Sequence, residues 1–246
     1  MRLPGYFHAT RHPWPGLLFV VPLLAIYEAR LLFLAHGQPD GLRNGADTWL
    51  RWALAHLGLA GLLWAPVLLL GLLLLWTLYR RSDRPQTDLV TVWGGMTAES
   101  ILFAVGLWGL SRSVGPLLAR IGLSVTGVPS ASAAASDATL EHLISFLGAG
   151  VYEEALFRLV LFSGLIWLFR LLEFPGMWAL TLAAALSALA FAAAHNVGPH
   201  GEHFAGTVFL FRSVAGLYLA MVFQLRGFGV AVGAHTGYDV LVGVLA

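Results

Sequence analysis

LEHLISFLGAGVYEEALFRLVLFSGLIWLFRL, residues 140–171, is the stretch on which the fold turns. A helix crossing a bilayer needs about 20 mostly apolar residues. This stretch exceeds that length, so it is tilted or projects beyond the lipid. Deep within it lie Glu153, Glu154 and Arg158. An ionisable group at the centre of a bilayer costs at least a few kcal/mol, so one retained there marks function by default. A single segment thus predicts both a membrane helix and a polar site inside it.

Working outward, the same length criterion picks out about seven spans in all. They run near Trp14–Ala35, Gly58–Tyr79, Leu89–Leu110, Leu140–Leu171, Met177–Ala194, Thr207–Leu225 and Phe228–Leu245. The fold class is therefore all-α: a polytopic transmembrane helix bundle of about seven to eight helices. One integral-membrane domain spans 1–246, with N-terminal helices of unassigned role over 1–120 and the chemistry-bearing helices over 137–246. Trp14–Ala35 is too long for a signal-peptide core and lacks a small-residue cleavage site, so it is expected to be retained. Between the first two spans, Trp49, Leu50, Ala53, Leu54 and Leu57 share one helical stripe, with Asp47 and Arg51 elsewhere, the pattern of a helix lying in the interface. Gly127–Ala138 reads as a flexible connection ending in a helix cap at Ser136 or Asp137. The tryptophans, Trp14, Trp49 and Trp52 among them, read as interface anchors.

Composition agrees. The chain is 58% hydrophobic and 11% charged, against about 25% charged in soluble domains. A net charge of +1 leaves no footprint for nucleic acid. All 14 basic residues are arginine and cysteine is absent, which excludes disulfides, thiol nucleophiles and thiolate metal sites. Arginine-rich loops favour the cytoplasmic side. Placing Arg2, Arg11, Arg80, Arg81, Arg84, Arg170 and Arg226 there leaves Arg43, Arg51, Arg112 and Arg120 outside, with a cytoplasmic N-terminus. The expected location is the bacterial inner membrane.

The later spans carry the remaining candidates. His195 ends one span, and His235 and Asp239 sit in the last. Glu154 and Arg158 are four apart with the acid N-terminal, the favourable order for an ion pair on one helix face. Glu153 is rotated about 100° from Glu154. One carboxylate can pair with Arg158 while the other points into a cavity. Gly229, Gly233 and Gly237 recur every fourth residue and let a neighbouring helix approach the His235 turn. A carboxylate and imidazoles meeting in a low-dielectric pocket can activate water, the carboxylate accepting a proton and later returning it. A second imidazole and a hydrogen-bonding side chain can hold an oxyanion.

These residues form three motifs in order on separate spans: Glu-Glu-x-x-x-Arg at Glu153–Arg158, Phe-x-x-x-His at Phe191–His195 and His-x-x-x-Asp at His235–Asp239. The set resembles the CAAX protease and bacteriocin-processing family of glutamate-type intramembrane endopeptidases, over roughly the C-terminal half. The resemblance implies a hydrolase of about eight helices acting on a membrane-associated protein or peptide. It implies that Glu153 activates water with His195, that His235 and Asp239 hold the oxyanion, and that Glu154 with Arg158 orients the site. Many relatives carry asparagine where this chain has Asp239. Aspartate donates a hydrogen bond only when protonated, so Asp239 either orients His235 instead or is kept neutral by burial.

No cofactor is expected, with zinc as the alternative: two Glu and two His could bind it, although no His-Glu-x-x-His helix is present. A serine-type site lacks its Gly-x-Ser-x-Gly, and an aspartyl type lacks a second acid to pair with Asp239. A proton-coupled transporter or an immunity-type binder is the non-enzymatic alternative, since buried ionisable groups also mark proton relays. Arg212 is expected to pair with Glu202 or Glu99. His200, Glu202 and His203 are expected in a solvated loop. Glu28 and Glu99 have no obvious partner in sequence.

Overall fold

The computed structural model describes residues 3–33, 43–61, 63–83, 88–120, 140–198 and 201–245. All regular structure among them is helical. In chain order the helices are α1 (Leu3–Arg11), α2 (Pro13–Phe33), α3 (Gly45–His56), α4 (Trp64–Tyr79), α5 (Leu89–Arg120), α6 (Leu140–Glu154), α7 (Ser163–Leu171), α8 (Gly176–Ala194), α9 (Gly206–Arg226) and α10 (Phe228–Leu245), with a π-helical segment at Ala155–Phe162 joining α6 to α7. The expected connection at Gly127–Ala138, with its cap, lies outside the described residues.

Four of these helices are long and apolar enough by themselves to cross a membrane: α2, α8, α9 and the Leu89–Leu117 part of α5. The fold is a helical membrane bundle, as expected, but its segments differ in detail from the seven spans read from sequence. The second span begins at Trp64 rather than Gly58. Gly58 instead stops α3 at φ +80°, its N–H bonding to Ala55 O while Leu59 N–H reaches back to Leu54 O. That is a Schellman stop, which favours glycine because the left-handed backbone carries no Cβ penalty there. The nine-residue α1 was not anticipated. It packs on α5 and α9, the Tyr6 ring lying against Gly95 and the Arg226 guanidinium over the Phe7 ring.

The helix expected between the first two spans is present as α3, with Asn44 Oδ1 capping the Asp47 N–H at 2.7 Å. Its apolar stripe turns partly inward, with Leu54 in the core and Leu50 packed against it. Asp47 is fully buried and faces the bundle, whereas Trp52 is 65% exposed. Inside lies a polar network that a purely apolar stripe could not satisfy. Arg51 bonds Asp47 at 2.6 Å and both oxygens of Glu28 at 3.0 and 3.1 Å. Tyr27 donates to Asp47, and the Tyr152 hydroxyl to Glu28. In an apolar surrounding a buried charge is tolerated only when paired and hydrogen-bonded, so these groups turn inward toward each other.

One apolar core joins α2, α3, α4, α6 and α10, and a second joins α1, α5, α9 and α10. The contact between α10 and α5 is the most extensive in the bundle. The four-residue glycine repeat makes it possible: positions 229, 233 and 237 face Met96, Ser100 and Ala104 of α5. Large apolar side chains elsewhere, such as Leu75 and Leu102, face outward, where lipid would cover them.

Candidate active site

Site assembly begins at the π-helical segment directly after Glu154. A π turn is rare and often sits at functional positions, because the extra residue rotates the helix face and loosens the carbonyl ladder. Here hydroxyls serve two of those carbonyls. Ser187 of α8 donates to Phe157 O at 2.6 Å, and Ser163 donates to Arg158 O at 3.0 Å. The widened turn is thereby fixed against α8, the helix that ends at His195.

Glu153 and Glu154 diverge as their helical offset requires. Glu154 and Arg158 are completely buried, with 3.2 Å between carboxylate and guanidinium. Arg158 also donates to Gly216 O at 3.4 Å and lies 4.3 Å over the Phe191 ring. From the other side His235 Nδ1–H donates to Glu154 Oε1 at 2.7 Å. Glu154 thus links Arg158 to His235, and this fixes the imidazole so that Nε2 points toward Glu153.

Glu153 lines a cavity of about 90 Å³ with Gly45, Ala46, Trp49, Phe157, His195 and Glu202, room enough for water. Its Oε2 stands 3.9 Å from His195 Nε2 and 3.8 Å from His235 Nε2. His195 caps α8, its Nδ1–H donating to Phe191 O at 2.8 Å, so its Nε2 carries a lone pair toward the same point. Burial is the largest influence on His195 and lowers its pKa below the ordinary imidazole value; Glu153 opposes this and Arg212 adds to it. Asp239 Oδ2 lies 3.7 Å from His235 Nε2. Phe191 meets both imidazoles edge-on, at 5.0 and 5.8 Å between ring centres.

All six sequence candidates therefore belong to one connected cluster. Glu153, His195, His235 and Asp239 converge, and Glu154 with Arg158 lies behind them. Arg212 pairs with Glu202 at 2.8 Å, one of its two expected partners, and Glu202 lines the cavity. Glu28 belongs to the Arg51 network, and Glu99 is held by Arg226 at 2.7 Å. Both acids acquire basic partners from distant segments, which no spacing rule could reveal. Sequence reasoning missed the wall contributed by α3: Gly45, Ala46 and Trp49 close the cavity, and Trp49 Nε1 lies beside Gly198 in the loop after His195. Among the described residues no group of three or more His, Asp or Glu side chains is arranged to hold a metal ion.

Residues 135–241 match the model of the Rce1-like family, described as type II CAAX prenyl endopeptidase. The segment holds all three motifs and every residue of the cluster. The resemblance read from the motifs to the CAAX protease and bacteriocin-processing family accordingly holds. No curated protein and no solved structure matches the chain.

Proposed function

We propose that the chain cleaves a peptide bond of a membrane-associated protein or tail with a water activated by Glu153 and His195, a reading supported by the match of residues 135–241, which bear Glu153, His195 and His235, to the type II CAAX prenyl endopeptidase family. The observation that carries this is the convergence of His195 Nε2 and His235 Nε2 on Glu153 Oε2 across gaps of 3.8–3.9 Å, with Glu153 and His195 at the cavity wall. Such gaps are too long for direct hydrogen bonds and suit a bridging water.

In this mechanism Glu153 accepts a proton from water as its oxygen attacks the scissile carbonyl carbon. The C–O bond forms, the carbonyl π pair moves onto oxygen, and Glu153 returns the proton to the leaving amine as the C–N bond breaks. His195 orients the water through its Nε2 lone pair. His235 in its imidazolium form directs Nε2–H toward the oxyanion while Nδ1–H remains on Glu154, and Asp239 is the second donor when it carries its proton. Arg158 balances the charge of Glu154, which keeps that acid a fixed acceptor rather than a second base.

The test is cleavage of a C-terminal tail peptide by detergent-purified protein, wild type beside Glu153→Gln. Loss of a general base lowers the rate about 10²–10⁴-fold. An equally active Gln variant removes Glu153 from the mechanism, and a wild type inert toward every peptide favours a binding or transport role. Chelator-washed protein keeps its activity if the water is activated by Glu153 and His195 alone. Activity lost with zinc, and restored by it, would transfer that task to a metal.

A further inference from the structure

A second cavity lies at the other end of the bundle and shares no residue with the candidate active site. It measures about 860 Å³ and opens where the end of α1, the start of α2 and the ends of α4 and α9 meet. Phe7, His8, Arg11, Trp76, Arg80 and Gln224 are among its lining residues. Through Ser163 and Gln224 it adjoins a smaller cavity of about 320 Å³ that carries Arg170. Among the described residues no carboxylate lines either one.

The charges in this cleft divide into two groups. Arg226 is committed: both Glu99 oxygens hold it, at 2.7–2.9 Å, and the Phe7 ring covers it. His12 is also committed, since Nε2–H donates to Arg80 O at 2.9 Å and Nδ1 accepts from the Trp14 N–H at 3.2 Å. That pairing ties the end of α4 to the start of α2 and gives the cleft a fixed wall. Arg11 and Arg170 are exposed and have no ion-pair partner among the described residues. Among the described residues Arg80 is paired only with Asp83, at 2.9 Å and half in solvent. An exposed pair of that kind is weak, and it uses only part of the guanidinium's five donors.

We propose that this cleft binds the phosphate of an anionic phospholipid head group. Guanidinium groups bind phosphate in bidentate fashion, and basic pockets between helices on the cytoplasmic side are fitted to anionic head groups. The cleft lies on the face where the arginine distribution places the cytoplasm. Trp76, Phe7 and Leu225 supply an apolar rim at the same level for the glycerol and upper acyl carbons. A soluble anion would have no use for that rim. The site is independent of the proteolytic reading and stands or falls separately from it.

The test is native mass spectrometry of full-length protein from nanodiscs of phosphatidylglycerol or phosphatidylcholine, comparing wild type with Arg11→Gln, Arg80→Gln and the double variant. Wild type should retain phosphatidylglycerol preferentially. Each substitution should lower retention about fivefold and the pair about 25-fold, with tail-peptide cleavage still measurable. Equal retention of both lipids, or undiminished phosphatidylglycerol on a folded double variant, would overturn the assignment. Inorganic phosphate supplies the second arm: thermal stabilisation of wild type by phosphate, without lipid retention, would make the ligand a free anion and overturn the lipid assignment. If the double variant does not fold, the exposed Arg11→Gln alone decides, because unchanged retention in it would equally overturn the site.

Discussion

At the scale of single residues, two adjacent carboxylates occupy opposite electrostatic positions. Glu154 is enclosed between a guanidinium and an imidazole N–H, whereas Glu153 faces the cavity with neither pressed against it. The backbone alone separates them, by a rotation of about 100°. Asp239 is the instructive acid, since it would donate to an oxyanion only when it carries its proton. An asparagine there donates at any pH, so Asp239→Asn should keep cleavage within about threefold, while Asp239→Ala should lose about 10²–10³-fold as an oxyanion donor disappears. Initial rates on one peptide compare the two, and an Asn variant as inactive as Ala would show that the carboxylate charge itself is needed. In the proposed mechanism His195 would set the acid side of the pH profile. Burial lowers its pKa and Arg212 adds a like charge. Its neutral, water-orienting form should therefore persist to a lower pH than free imidazole would allow. Arg212→Gln removes one lowering influence, so the acid limb of kcat/KM should move to higher pH, which a pH–rate series measures.

At the scale of helices, the bundle depends on a close approach and a distortion. The close approach lies between α10 and α5, where a Cβ at position 233 would meet Ser100 Oγ at 2.3 Å. Gly233→Ala should cost about 1–3 kcal/mol, seen as a lower melting temperature in detergent, and an unchanged transition would mean that α5 can yield. The glycine period was legible in sequence because close packing requires small residues at regular intervals. The π-helical distortion was not legible. Ala155–Phe162 has an ordinary apolar composition, and the hydroxyls serving its carbonyls include Ser187, which is 30 residues from Phe157. The three site motifs could be read because a charge inside an apolar run is conspicuous, and four-residue spacing assigns it a face. Other buried pairings could not: Glu28 and Arg51, or Glu99 and Arg226, are joined only by tertiary packing.

At the scale of the molecule, two polar regions lie toward opposite ends of the bundle, one around His195 and one around Arg80. The chain contains no cysteine, so single cysteines introduced at Arg81 and Val197 give an unambiguous topology. The arginine distribution places Arg81 in the cytoplasm, and the two positions should react with an impermeant maleimide from opposite sides. Labelling of both from one side would reverse the arrangement. A last consequence follows from the roof that α3 lays over Glu153. The family signature occupies 135–241, yet Gly45, Ala46 and Trp49 stand upstream of it, and Tyr152 is tethered through Glu28 to Arg51. Excised from the first helices, the signature segment would hold its acids and imidazoles in an uncovered trough, flooded from above. The minimal working unit is thus larger than the recognisable one.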